Sequence, residues 1–367
     1  MGYPGCVTSQ ITELPKLTII VGAGASHDVA NEGTHKEDKW RPPLAAELFR
    51  INKREVFEPL LREYPGAAAL VDRLAPLAEH YAEHNPQDFK LEEKLRAYAD
   101  HRDVRIRQQF KEIPAYIRAV IVECSKNYVA RPACFHQLVA EVLAEHEHQV
   151  LFLVLNYDTF VERALGPFGH DFRRITDYID PDRRAKVVKV HGSVDWFFEF
   201  VSVAANWHAA IRRFDVGTEK RQFVVHPDLA DKTDFAGFRE FVPNHLPHTW
   251  RYPVLTAPLA GKGPTDLVCP AEHLVAAKEF LRDCKKFLVL GTSGGDKDLF
   301  ELLDSATPPV GPHVAQFVGR QDVKVVEQRY RDKVRAFRSA RVESYSHGFR
   351  KHMLDPAFPE FLTVQIP

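Results

Sequence analysis

Residues 17–26 read L-T-I-I-V-G-A-G-A-S. An unbroken apolar and β-branched run that stops at glycine is the pattern of a strand buried on both faces, as in a parallel sheet. The turn behind it, Gly22-Ala23-Gly24-Ala25-Ser26, has no bulky side chain. Glycine lets the backbone bend sharply and lets another group approach it closely. With a helix behind it, such a turn presents the positive end of a dipole to an anion, which is how dinucleotide pyrophosphates are held. The full G-x-G-x-x-G spacing is not met, because His27 stands three residues after Gly24. On its own the turn leaves both a nucleotide site and a plain strand–loop crossing open.

The same rhythm returns along the chain. Residues 150–155 form a wholly apolar run that ends in Asn156-Tyr157-Asp158, with Asp158 placed to cap a short helix over 159–165. Residues 185–190 read as a strand running into His191-Gly192-Ser193, with Trp196 behind it as a core residue. Residues 287–290 read as another, ending in Gly291-Thr292-Ser293-Gly294-Gly295-Asp296, where Asp296 could cap the next helix. Strands over 314–318 and 342–345 follow, separated by a helix over 323–337. Amphipathic helices over 44–63, 133–147 and 270–286 complete the alternation, the second with Phe135, Leu138, Val139 and Val142 on one face. The tail Glu145-His146-Glu147-His148 reads as a solvated end, and Lys285 and Lys286 as the last turn of the third helix. Strands alternating with helices predict an α/β fold: a Rossmann-like, mostly parallel sheet with helices on both faces.

From 65 to 131 the composition shifts to Ala, Glu, Arg and His with helical periodicity throughout, which predicts a helical insertion. The domain expectation is therefore 1–64 with 132–367 as one catalytic unit and 65–131 as an inserted one. Within the insertion, His80-Tyr81-Ala82-Glu83-His84 has the form of a zinc-peptidase motif, but Asn85-Pro86 ends the helix at once and the histidines suit a helix terminus. Residues 27–43 read as a loop able to cover a site, and 197–267 give no ordered pattern.

Composition excludes several classes. The 367 residues are 45% hydrophobic and 27% charged with a net charge of −1, so no bulk electrostatic pull toward nucleic acid or a membrane exists. No run approaches the 18 or so apolar residues of a membrane span, and the first ten residues lack a secretory signal. Five cysteines with no C-x-x-C pair argue against a cysteine zinc site and fit a reducing cytoplasm. No metal site and no zinc are expected.

In an open parallel sheet the carboxyl ends of the strands share one edge, and ligands bind there. Gly22–Ser26, Asn156–Asp158, His191–Ser193 and Gly291–Asp296 would meet on it. Gly22, Gly24 and Ser26 would take a pyrophosphate, and Gly291, Thr292 and Ser293 a ribose or phosphate. Asn156 supplies an amide that can hold water or a sugar hydroxyl, and His191 a base that titrates near neutrality. An amide and an imidazole beside a dinucleotide suit cleavage at a glycosidic carbon, whose oxocarbenium character asks little beyond placing and activating water. Asn156 as a cap and His191 as a core histidine are the structural alternatives.

The set G-A-G-A-S, N-Y-D, K-V-H-G-S and G-T-S-G-G-D resembles the sirtuin-like family, and most of all its prokaryotic anti-phage branch of NAD hydrolases. Asp88–Glu92, Pro253–Lys262 and Tyr345–Phe349 add to the resemblance. It implies Asn156 and His191 as the catalytic pair, with Asp158 supporting Asn156. Gly22, Ala23, Gly24, Ser26, Gly291, Thr292, Ser293 and Asp296 would line the site of NAD, the substrate. The Gln that usually precedes the Asn in deacylating sirtuins is Leu155 here, and the zinc cysteine pairs are missing. The implied activity is an NAD glycohydrolase acting as a cytoplasmic abortive-infection effector. The implied control is homo-oligomerisation or a separately encoded partner, a nucleic-acid-handling ATPase or an Argonaute-like protein, with no membrane and no direct nucleic-acid contact. The alternatives are a non-catalytic NAD or ADP-ribose-binding regulatory subunit, and an NAD-dependent protein deacylase or ADP-ribosyltransferase.

Overall fold

A computed structural model describes residues 14–29, 40–44, 47–49, 54–84, 97–98, 101–128, 133–214, 222–234, 246–255, 268–320 and 322–366. Six strands form one parallel sheet: β1 (Lys16–Val21), β2 (Gln149–Val154), β3 (Ala185–Lys189), β7 (Lys286–Leu290), β8 (Val314–Val318) and β9 (Arg341–Tyr345). Their order is β3-β2-β1-β7-β8-β9. The chain thus winds outward from β1 to one side, returns to the centre at β7, and winds outward to the other. Its topological switch point lies between β1 and β7, the place where doubly wound sheets bind ligands.

The continuous apolar runs are explained by burial on both faces. Leu17, Ile19 and Val21 of β1, with Val150, Phe152 and Val154 of β2, enter one core. Ile20, Leu151 and Leu153 enter another on the opposite face. This is the period-two alternation of a strand, with both phases apolar.

Helix α1 (Ala23–Asp28) follows β1 directly. Then come α2 (Arg54–Glu63), α3 (Pro65–His84), α4 (Val104–Phe110), α5 (Ile113–Tyr128) and α6 (Ala133–Ala140), the last passing into a π-turn over Glu141–Glu145. After β2 come α7 (Phe160–Leu165), α8 (Trp207–Arg213), α9 (Ala271–Arg282), α10 (Lys297–Ala306), α11 (Val323–Lys333), α12 (Arg335–Arg338), α13 (Phe349–His352) and α14 (Ala357–Thr363). Phe135, Leu138, Val139 and Val142 are all buried against the first face, as their spacing predicts, together with Phe160 and Phe349. Phe280, Leu303, Tyr330 and Phe337 cover the second.

Residues 192–255 carry a second sheet, three-stranded and antiparallel, in the order β5-β4-β6: β4 (Gly192–Ser202), β5 (Gln222–Val225) and β6 (His248–Leu255). It shares a core with the helices before β2: Phe197, Phe200, Trp207, Trp250 and Tyr252 pack with Tyr64, Leu70, Tyr116 and Val120. The stretch that gave no sequence pattern and the helical stretch over 65–131 therefore bury each other. Buried Arg118 of α5 joins them, donating to the carbonyls of Val194 (2.6 Å), Leu229 (2.5 Å) and Lys232 (2.8 Å) with its guanidinium over Phe197.

Several sequence expectations are corrected. The helix expected over 44–63 is described only from Arg54, and Leu44 and residues 47–49 lie in turns. The helix expected to reach 286 stops at Arg282, and Lys286 opens β7 with its side chain buried. The helix over 323–337 is interrupted by extended Val334. His148 is buried rather than solvated. Trp196 is fully buried, as expected. The histidine-rich motif falls in the last turn of α3, and its side chains beyond His80 lie outside the described residues, as do most of the loop over 27–43, residues 88–92 and residues 256–262. Cys124, Cys269 and Cys284 are buried, and burial pushes the thiols of Cys269 and Cys284 up to about 12 and about 11. Among the described residues no helix is long and apolar enough to cross a membrane.

Candidate functional site

Register places the polar segments together. Val21 pairs with Val154 and Leu290, and Val154 with Lys189, so four strands end level with one another. Gly22, Asn156, His191 and Gly291 each fall within two residues of those ends, on one edge spanning about 14 Å at the usual strand spacing.

At the switch point the two glycine turns clasp each other. Gly22 N donates to Leu290 O at 2.8 Å, and Gly24 N to Gly291 O at 2.8 Å. A Cβ on Gly22 or Gly24 would lie 2.6 Å from Gly291 O, and one on Gly291 would lie 2.1 Å from Ala25 N. Gly291 also has a φ of +58°, the left-handed region that favours glycine. The close approach these glycines permit is thus first of all that of one turn to the other, and the N–H groups of Gly22 and Gly24 are spent on it. Ala23 stays exposed at the first helical position, while Ser26 is buried one turn on.

Ser26 anchors a polar chain across β1 and β2. Asp158, as a carboxylate, can only accept, so the Ser26 hydroxyl donates to its Oδ2 at 2.7 Å. Ser26 Oγ is then the acceptor for Asn156 Nδ2, also at 2.7 Å. This direction of donation fixes the Asn156 amide: its Nδ2 faces Ser26 and its Oδ1 faces away. That Oδ1 is buried and has no hydrogen-bond partner among the described residues, in a side chain only 4% exposed. A buried acceptor left unmatched costs free energy on the order of 1–3 kcal/mol, so it marks a place where a ligand or water belongs. In place of the expected Asp158, the N-cap of α7 is Thr159, without a side-chain cap bond; Asp158 stands one residue earlier and its Oδ1 accepts from Phe160 N at 3.1 Å, the bond of an Asx turn.

Beneath this chain lies a buried ion pair that the sequence reading missed. Lys189, the last residue of β3, sits 3.1 Å from Glu162 of α7, with both side chains nearly inaccessible, and its Nζ donates to the Asp158 carbonyl. Burial pushes the Glu162 carboxyl up to about 7, with Lys189 opposing and buried Asp195 adding to the rise. Lys189 thereby ties the segment 156–162 to β3. The signal was present in K-V-H-G-S: a lysine inside a buried strand needs a partner.

His191 crosses the edge to the far side of the switch point. Its Nε2 meets Asp296 Oδ2 in a very short contact, while Asp296 Oδ1 accepts from Leu299 N at 2.7 Å and caps α10. Burial alone would raise the Asp296 carboxyl. The charge and hydrogen bond of His191, with the N–H groups of Leu299 and Asp298, outweigh it and hold the carboxyl below the usual carboxylate range. An ionised Asp296 can only accept, so Nε2 carries the proton and, in the neutral ring, Nδ1 carries the lone pair. Gly192, φ +83°, turns the chain immediately afterward into β4, where a Cβ would lie 2.0 Å from Val254 O. Across the rim, Ser293 is exposed and its carbonyl is held by Arg329 at 2.8 Å.

The edge therefore combines an oriented amide with an unmatched acceptor, an imidazole whose tautomer is set by a carboxylate, and two interlocked glycine turns. Together these can place and deprotonate a small nucleophile such as water. No family model matches the sequence, and no curated protein matches it. Among solved structures, similarity is found to a Sir2 enzyme studied for its mechanism and regulation, with TM-score 0.42 and 14% identity over 97% of this chain and 94% of that one. A Sir2 homologue in complex with NAD gives TM-score 0.40 and 14% identity over 97% and 91%. A Sir2 protein bound to a myristoylated histone peptide gives TM-score 0.39 and 14% identity over 97% and 94%.

Proposed function

We propose that the carboxyl edge of the sheet binds NAD and hydrolyses its nicotinamide–ribose bond. The observation that carries this reading is the buried, unmatched Oδ1 of Asn156, aimed away from Ser26 by the donation order Asn156 to Ser26 to Asp158. An acceptor held in that way takes a hydrogen from water and turns a water lone pair toward a neighbouring electrophilic carbon. The C1′–N bond breaks, its electron pair neutralises the pyridinium, and nicotinamide leaves. The water oxygen bonds to C1′, and its proton passes to His191 Nδ1 or to solvent, giving ADP-ribose. Asp296 keeps the imidazole in the accepting tautomer and stabilises it when it gains the proton, as carboxylates do beside catalytic histidines elsewhere. The turns at Gly22–Ser26 and Gly291–Ser293 face the remainder of the dinucleotide, with Ala23, Thr292 and Ser293 as its contacts.

The resemblance to anti-phage NAD hydrolases supports the same chemistry and adds a setting: a cytoplasmic effector that exhausts NAD during infection. An enzyme of that kind must be silent in healthy cells, so we assign its control to self-assembly or to a separately encoded partner. The experiment is chromatographic measurement of NAD loss by the purified chain, alone and co-purified with the product of the adjacent gene. ADP-ribose and nicotinamide should appear in equal amounts. Asn156→Ala and His191→Ala should each lower the rate by about a hundredfold or more, the usual effect of removing one positioned polar or acid–base group. Undiminished turnover in both variants removes the mechanism. Tight NAD binding without turnover in the assembled complex makes the chain a sensor instead, and NAD-dependent loss of acyl groups from peptides makes it a deacylase.

A further inference from the structure

A second polar cluster lies at the far end of the same edge, beyond β9, and the hydrolytic reading makes no use of it. His347, His352 and Asp355 each bring one donor atom to within 4.8 Å of the others, the one such histidine–carboxylate group among the described residues. His347 Nε2 and His352 Nδ1 are 3.2 Å apart, and His347 Nε2 and Asp355 Oδ2 are 3.7 Å apart.

The surroundings fix which atom of each residue faces the others. Gln316 of β8, wholly buried, donates its Nε2 to Ala357 O at 3.4 Å, so its Oε1 turns to His352 and accepts from His352 Nε2 at 2.7 Å. His352 Nε2 therefore carries the proton, and Nδ1 presents its lone pair to His347. Asp355 Oδ1 is occupied by Ala357 N at 2.9 Å, which leaves Oδ2 as the oxygen that faces the histidines. Tyr345 packs on both rings and holds their planes only 27° apart.

We propose that His347 Nε2, His352 Nδ1 and Asp355 Oδ2 bind a divalent transition-metal ion of the zinc class. Two nitrogens at 2.0–2.1 Å from a tetrahedral ion stand about 3.3–3.4 Å apart, and a nitrogen and a carboxylate oxygen about 3.3–3.5 Å. These two gaps lie within a few tenths of an ångström of those values, and the three donors as a set lie within 4.8 Å of one another, so closing the site draws them slightly together. Two imidazoles and one carboxylate suit zinc, cobalt or nickel and not magnesium or calcium, which take all-oxygen sets. Gln316 is the outer-shell acceptor that such histidines use to fix their tautomer. His347 and Asp355 are partly exposed, so the ion has an entry path and its fourth position is open to water. The three ligands fall within nine residues as H-x4-H-x2-D and involve no cysteine, so cysteine spacing carries no trace of them.

The ion would brace the glycine turns from outside. Gly348, φ +83°, lies between the ligands, and a Cβ there would meet the Asp28 carboxylate at 2.6 Å. That carboxylate, at the end of α1, also takes Arg350 N at 3.0 Å and the Arg320 guanidinium. Metal occupancy fixes the segment on which α1 ends.

The test uses the full chain without an affinity tag, stripped by chelator and titrated with Co2+. One equivalent should bind with the d–d absorption of a four- or five-coordinate N/O site, Zn2+ should displace it, and Zn2+ should raise the thermal midpoint. His347→Ala and Asp355→Asn should each weaken that equivalent by about a hundredfold or more while the metal-free variants melt as cooperatively as the metal-free parent. Asn at 355 keeps the acceptor for Ala357 N, so the second variant stays informative if the first is unstable. Absence of the d–d signal in the parent chain, or equal Co2+ affinity in parent and Asp355→Asn, overturns the proposal.

Discussion

The two ends of the parallel sheet both bury groups that titrate, and they do so to different effect. At the amino ends, His148 precedes β2 and Lys286 opens β7, both almost inaccessible. Lys286 donates to the carbonyl of Leu362 in α14 at 2.7 Å, and burial pushes its ammonium down to about 8. Burial pushes the His148 imidazole down to about 4, with the charge of Lys286 adding to the effect. At the carboxyl ends, Asn156, Ser26 and Asp158 bond in one chain across β1 and β2, His191 meets Asp296 across the switch point, and the Asn156 Oδ1 is left unmatched among the described residues. Burial and a displaced pKa occur at both ends, so neither marks a site. An unmatched polar atom does not separate them either, since both ring nitrogens of His148 lack a hydrogen-bond partner among the described residues. What separates the ends is the convergence of polar side chains from several strands in the crevice where the sheet reverses direction.

The sharpest way to break this contrast is to unlock the carboxyl end. Gly291→Ala adds a Cβ 2.1 Å from Ala25 N at a left-handed backbone position. Strain and overlap together should cost about 3 kcal/mol or more of stability, read as a lowered denaturation midpoint and a loss of NAD binding. A variant as stable as the parent would mean that the two turns do not clasp.

The chain should lose stability in acid through its buried histidines, His148 at the amino end among them. His148, His170 and His273 are all buried and all held near 4, against an ordinary value of 6.5, mainly by burial. Below pH 6.5 the unfolded chain takes up protons that the folded chain refuses, so stability falls until the folded histidines protonate near pH 4. Each contributes a loss of about 1.4 kcal/mol per pH unit, or about 2 kcal/mol at pH 5. Denaturation at pH 7 and pH 5 measures the slope, and His148→Leu should make it shallower. A flat profile over that window would contradict the burial of all three.

The smallest effect separates holding from reacting within the carboxyl end itself. Asp296→Asn keeps an acceptor for the α10 cap but removes the charge beside His191, so turnover should fall by about tenfold with little change in thermal midpoint. Equal losses of activity and stability would make Asp296 a cap and nothing more.

What could be read in advance follows the same line. The strands β1, β2 and β7 are legible because burial on both faces leaves their interiors apolar apart from β-branched Thr18, and their ends then point to Gly22, Asn156 and Gly291. The buried polar groups of the amino end are not legible. Lys286 follows Lys285 after an amphipathic helix and looks like its solvated tail, and His148 sits in an acidic, histidine-rich stretch that looks the same. Only tertiary packing, the Leu362 carbonyl for one, decides otherwise. The antiparallel sheet escapes for another reason: β4 continues from β3 through Gly192, and its aromatic residues pack on helices far earlier in the chain, α5 and those before it. The placing of Gly22, Asn156, His191 and Gly291 at level strand ends was readable. The clasp that spends the N–H groups of Gly22 and Gly24 was not, since each turn alone looks open to a ligand.

That clasp has a consequence for synthesis. Gly22 emerges from the ribosome early, but its partner Leu290 is made only after most of the chain. At ordinary translation rates the delay is on the order of ten seconds to a minute. Until then β1 lacks its central neighbour and the crevice has one wall. The candidate site is therefore assembled late, and a product truncated before β7 cannot form it.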